Sequence, residues 1–132
     1  MTNSERYLQS SLKASRSITK TYSTSFSLGI FCLGRNIRND IYSIYGFVRV
    51  ADEIVDTFFE IDQSKKIDDF HQSTIESIKN SYSSNLILHA FQNVVNTYQI
   101  DIELVNSFFK SMKADLTNKN YNRESYEEYI YG

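Results

Sequence analysis

NIRNDIYSIYGFVRVADEIVDTFF, residues 36–59, holds the reading of this chain. At about 100° per residue, and with Tyr45 as origin, Arg49, Asp52 and Asp56 fall within about 40° of it, forming one narrow stripe along a helix. Ile44, Val48, Ala51 and Val55 flank that stripe, while Phe47, Val50, Ile54 and Phe58 take the opposite face. A helix apolar over most of its circumference belongs in a protein interior. Ionised groups survive there only if they are paired, bind metal or face a water-filled cavity, because desolvation is otherwise too costly. The stripe therefore reads as one wall of a polar cavity.

Working outward, the rest of the chain is equally helical in pattern. It has no proline and four glycines in 132 residues, so breakers are scarce and helices joined by polar turns are favoured. The spacing predicts helices near 5–20, 24–33, 36–59, 64–81, 86–98, 102–117 and from 124 onward. Turn signals fall at Gly34, at 61–64, at 83–85 and in the polar stretch 117–123. Ser64, Asp101 and Asn122 stand where helix caps are expected. Ile102, Val105, Phe109, Met112 and Leu116 repeat with a helical period, and alternation of the strand kind is nowhere sustained. The fold class is all-α. The helical pattern of ESYEEYIYG, residues 124–132, stops within about two and a half turns. The 132 residues thus read as the N-terminal part of one helical domain, with Phe108, Phe109 and Tyr131 expected in an exposed apolar patch.

Composition narrows the function classes. A net charge of −2 gives no electrostatic footprint for nucleic acid, which is not expected as a partner. One cysteine, Cys32, permits no disulfide within the chain and fits a reducing cytoplasm. Residues 1–20 lack the apolar centre of a signal peptide, and no apolar run is long enough to cross a bilayer. His71 and His89 have no second ligand at metal spacing and read as structural, as does Cys32, a small buried group.

Two carboxylates four residues apart are most often a solvated helix face. In an apolar helix they suit a hard cation instead. Mg²⁺ takes one or two carboxylates and completes its shell with water and phosphate oxygens. Such a cation bridging a diphosphate neutralises the charge that develops as it departs. Arg49, about one turn before Asp52, can reach either the diphosphate or the carboxylates.

Three separated blocks then agree with one family. YSTSFS at 22–27, DIYSIYGFVRVADEIVD at 40–56, and MKADL at 112–116 followed by Tyr121 and YIYG at 129–132 resemble squalene/phytoene synthases. The helix motif Tyr-x-x-x-Arg-x-x-Asp-[Asp/Glu]-x-x-Asp is complete in Tyr45, Arg49, Asp52, Glu53 and Asp56. Within that family the blocks look most like bacterial phytoene synthases.

The resemblance implies an isoprenoid-synthase fold, with packed helices around a central cavity, and a prenyl transferase joining two prenyl diphosphates head to head through a cyclopropyl intermediate. Geranylgeranyl diphosphate giving phytoene, in carotenoid biosynthesis, is favoured; squalene or dehydrosqualene from farnesyl diphosphate is the alternative. It assigns Mg²⁺, with Mn²⁺ as substitute, to Asp52 and Asp56, and a catalytic role to Tyr45, Arg49 and Tyr131. Ser25, Phe26, Arg49 and Asp115 become substrate-binding, and peripheral membrane contact is implied for a lipid product. Two departures stand out. Thr24 occupies a position where the family often has a basic residue, and the family's second Asp-rich motif does not occur in the sequence. The rival reading is a non-catalytic helical scaffold of the same family; its expected mark, decay of the Asp-rich motif, is absent here.

Overall fold

The computed structural model describes residues 1–22, 34–56 and 62–131, with residues 35, 36 and 119–131 as backbone only. Five helices follow in order: α1 (Asn3–Tyr22), α2 (Arg35–Asp56), α3 (Gln63–Asn80), α4 (Leu86–Thr97) and α5 (Ile102–Tyr131). The described residues contain no strand. The all-α expectation holds. The expected helix at 24–33 lies outside the described residues.

Helix ends show which local signals were decisive. Asp62, and not Ser64, caps α3: its carboxylate accepts from the backbone N–H of Lys65 at 3.1 Å. An ionised carboxylate at this point also complements the positive end of the helix dipole. Asn85 caps α4 by accepting from the N–H groups of Ile87 and Leu88, and Asp101 accepts from Glu103 N–H at 3.0 Å. The turn expected at 117–123 does not form, and Asn122 is no cap, because α5 runs unbroken to Tyr131. Its polar residues are only modest helix formers, but no Gly or Pro interrupts them, so propagation costs little at each step.

α2 is the central element, packed against all four other helices. Phe47 is its anchor, 2% exposed. Its ring stacks on Phe91 at 3.8 Å and on Phe70 at 5.6 Å, and meets Phe109 edge-on at 5.7 Å. That single burial is worth about 1.5–3 kcal/mol. Around it Ala51, Val55, Ile67, Leu88, Val95, Val105, Met112 and Leu116 complete one core. Phe109 is fully buried and Phe108 packs against the core half-buried, so neither joins an exposed apolar patch as expected. The Tyr131 side chain lies outside the described residues.

α1 reaches α2 by a different route. Its buried line consists of Ser11, Ser15 and Thr19, small residues one turn apart. Thr19 and Ser11 hydroxyls donate to the carbonyls one turn back, at 2.9 and 3.1 Å. Gly46 of α2 lies against Ser15 so closely that an added Cβ would stand 3.3 Å from Ser15 Cα.

Candidate active site

The side of α2 away from the core carries the stripe. Phe47, Ala51 and Val55 face inward, while Tyr45, Arg49 and Asp52 are half-buried and Asp56 is exposed. The helix thus turns its chemistry-bearing line to the protein's margin, and Ile44, beside it, is exposed as well.

Arg49 is the most constrained member. It forms an ion pair with Glu53, one turn on, and the two side chains are 29% and 18% exposed. Its guanidinium carbon sits 4.4 Å from the centroid of the Tyr22 ring at the end of α1. A guanidinium stacks on an aromatic face because the ring's quadrupole attracts the cation. Arg49 Nε is buried, and among the described residues it has no hydrogen-bond partner. The bond from Glu53 raises the Arg49 pKa above its ordinary value; burial opposes it, and the charges of Glu53 and Asp52 add to it. The side chain is thus a fixed cation held on two sides, with one N–H still to be satisfied. An oxygen arriving there would find a pre-oriented charge-assisted donor.

The end of α2 is tied down by a residue from the next helix. Gln63, buried at the start of α3, donates its amide to the carbonyls of Val55 and Ile54 at 3.0 and 3.2 Å. Last-turn carbonyls have no partner within a helix. Gln63 satisfies two of them, and so holds the turn that bears Asp56.

The other expected residues are dispersed. Asp115 is exposed on α5 and makes no hydrogen bond or ion pair among the described residues. Tyr131 belongs to α5 by its backbone only, and Ser25, Phe26 and Cys32 lie outside the described residues. His71 is structural, joining α3 to α5: its Nε2 donates to Asn106 Oδ1 at 2.7 Å while Nδ1 accepts from Lys113 at 2.9 Å. Lys113 also pairs with Asp68 at 2.8 Å. Glu53 and Tyr22 stand within the quoted sequence blocks, but neither they nor Gln63 were expected to have a role in the site. For Glu53 the signal was present, since an Arg–Glu pair at i,i+4 is a standard helix neighbour.

A family model described as squalene/phytoene synthase matches residues 19–132. The chain belongs to the squalene/phytoene synthase family. No curated protein matches it, and no solved structure does. Family membership points to head-to-head isoprenoid prenyl transfer, with prenyl diphosphates as substrates, in a family that generally uses a divalent metal. The all-helical fold is consistent with the isoprenoid synthase type. For this squalene/phytoene synthase family member the match takes in Tyr22 and the whole of α2, and leaves most of α1 outside. Among the described residues no group of three or more His, Cys, Asp or Glu side chains is assembled as a metal site. Asp52 and Asp56, one turn apart on the accessible side of α2, do suit a cation that takes two carboxylates and fills its shell with water and phosphate oxygens. No helix among the described residues is long and apolar enough to cross a membrane.

Proposed function

We propose that this protein joins two geranylgeranyl diphosphates head to head into phytoene, with release of diphosphate. The observation that carries this reading is Arg49: a guanidinium pinned between Tyr22 and Glu53, with an Nε–H that has no acceptor among the described residues, on the same helix line as Asp52 and Asp56. Diphosphate is the ligand class that uses a fixed guanidinium and a pair of carboxylates together. In this reading Arg49 donates to the diphosphate oxygens, and Tyr45 lines the site beside it. Asp52 and Asp56 hold Mg²⁺, or Mn²⁺ in its place, which supplies charge neutralisation for the leaving group. Ser25, Phe26 and Tyr131 border the prenyl chain and the reacting carbons; Asp115 completes the substrate contacts. The choice of phytoene over squalene or dehydrosqualene rests on the likeness of the sequence blocks to bacterial phytoene synthases. We place the protein in the cytoplasm, with peripheral membrane contact for delivery of a lipid product.

The test is conversion of radiolabelled geranylgeranyl and farnesyl diphosphates, each titrated with Mg²⁺. Asp52→Asn keeps size and hydrogen bonding but removes one charge from the metal pair. It is expected to lower turnover at least tenfold, about 1.4 kcal/mol in the barrier, and to raise the Mg²⁺ needed for half-maximal rate. Unchanged turnover would remove the stripe from the mechanism. Preference for the farnesyl substrate would reassign the product.

A further inference from the structure

A second cleft, of about 680 Å³, opens between the first turns of α1, the α3–α4 connection and one face of α4. Its volume falls within the range of small-molecule sites. No residue of α2 lines it, and its α1 wall, which includes Ser4, Tyr7 and Leu8, precedes residue 19, where the family match begins. Among the described residues no Asp, Glu, Lys or Arg borders it.

Two nearly buried side chains on one face of α4 form its floor. His89 is 8% exposed and Gln92 is 4% exposed. The backbone N–H of Ser83 donates to His89 Nδ1 at 3.2 Å. A backbone N–H cannot accept, so Nδ1 bears the lone pair and the neutral ring carries its proton on Nε2. Burial lowers the pKa of this imidazole, which favours the neutral form.

Gln92 is oriented by a similar chain of logic. Asn96 Nδ2 donates to the Ile78 carbonyl at 3.1 Å and to Gln92 Oε1 at 2.8 Å. The Ile78 carbonyl only accepts, which fixes the Asn96 nitrogen there and turns the Gln92 oxygen towards it. The Gln92 NH₂ is left pointing elsewhere. Neither His89 Nε2–H nor Gln92 Nε2–H has an acceptor among the described residues. Neither nitrogen is sealed in the interior: both open to the cleft, where water or a ligand oxygen can accept from them.

Aromatic rings form the wall. Tyr7 meets His89 edge-on at 4.5 Å, and Tyr82 lies 5.7 Å from Tyr7 and 5.8 Å from His89. The Tyr7 hydroxyl already donates to the Ser83 carbonyl. Two donors on the floor, rings at the side and no countercharge define the complementary ligand. An anion would be desolvated there without a cation to offset the cost.

We infer that this cleft binds a small uncharged molecule bearing a carbonyl on a flat ring, its oxygen accepting from His89 Nε2–H and Gln92 Nε2–H and its ring resting against Tyr7 and Tyr82. The site is separate from the α2 stripe and independent of the prenyl-transfer reading.

Benzamide is the probe, with benzoate and toluene as comparators that add a charge or remove the acceptor. Each is titrated into the ¹⁵N-labelled protein while the Gln92 side-chain amide and the Ser83 and His89 backbone signals are followed. Benzamide is expected to saturate with a Kd of about 1 mM, as suits a fragment of its size. Benzoate and toluene are expected to bind at least tenfold more weakly, and Gln92→Leu to weaken benzamide at least tenfold. Ser4→Trp, a change at an exposed position on the cleft rim, is expected to block benzamide without touching the floor, and it decides the matter if Gln92→Leu does not fold. Absence of saturation overturns the inference. So does equal binding of toluene, which would make the cleft a mere apolar crevice, or of benzoate, or undiminished benzamide binding by folded Gln92→Leu or Ser4→Trp.

Discussion

Glu53→Gln is the change whose consequences the structure alters most. On the helical wheel Glu53 lies off the Tyr45–Asp56 stripe, and the sequence alone gives it little importance. In the fold its carboxylate is the partner of Arg49, and both side chains are less than a third exposed. An exposed i,i+4 pair contributes about 0.3–0.5 kcal/mol, and a hydrogen bond to a charged group about 1.5–3 kcal/mol. A half-buried pair falls between these limits, so removing the charge while keeping an acceptor should cost about 1 kcal/mol. For a chain of this length that lowers the melting temperature by about 3–5 °C. A double-mutant cycle with Arg49→Gln should return a coupling of about the same size, because the Arg49–Glu53 pair is the contact that the two variants share. Raising the salt to about 1 M should shrink the loss, though not abolish it, since the pair is partly shielded from solvent. The control is Glu76→Gln, the same change at an exposed position of α3, which should change the melt by less than about 0.5 kcal/mol. If Glu53→Gln costs no more than Glu76→Gln, or the cycle returns no coupling, Glu53 does not hold Arg49 and the pinned guanidinium is not a property of this site.

Two further outcomes follow from the packing. Gly46→Ala gains about 1 kcal/mol of helix propensity but sets a methyl 3.3 Å from the Ser15 backbone, so chemical denaturation should show a net loss of about 1 kcal/mol; a net gain would mean that α1 and α2 can separate freely. Burial holds the His89 imidazole below its ordinary value of 6.5, so the unfolded chain binds a proton that the folded chain resists; among the described residues the titratable side chains whose rings meet it are Tyr7 and Tyr82. Its contribution to stability is complete above about pH 6.5 and is lost as pH falls through the lower folded value, so melting temperatures should drop between pH 7.5 and 5 and His89→Gln should flatten that drop; an equal slope in the variant would exclude His89 as its source.

Much of the protein was legible in its residues, for reasons that differ from element to element. The period of Val105, Phe109, Met112 and Leu116 marked the buried face of α5 because apolar burial enforces a repeat that matches the helix. α1 gave no such signal: it is docked through Ser11, Ser15 and Thr19, and small polar residues look alike whether buried or solvated. The cap at Asp62 was misread as Ser64 because both residue types cap well, and the choice was made by Gln63 reaching across to the carbonyls of α2. The polar run 117–123 read as a turn because composition resembles one, yet composition cannot show whether a helix already propagating will stop.

The sequence by itself determined the helical class, the line joining Tyr45, Arg49, Asp52 and Asp56, and the likeness to squalene/phytoene synthases, all of which depend on residue patterns within short segments. Only the tertiary structure decided that Phe47 is the hub of the core, that Tyr22 and Glu53 hold Arg49 from two sides, and that Gln63 closes the end of α2. It alone also gathered Tyr7, Tyr82, His89 and Gln92 around one cleft. The physical reason is range. Helix formation and side-chain alignment are set by neighbours within one or two turns, whereas which donor lacks an acceptor, and which charge is shielded, depends on groups that only folding brings together.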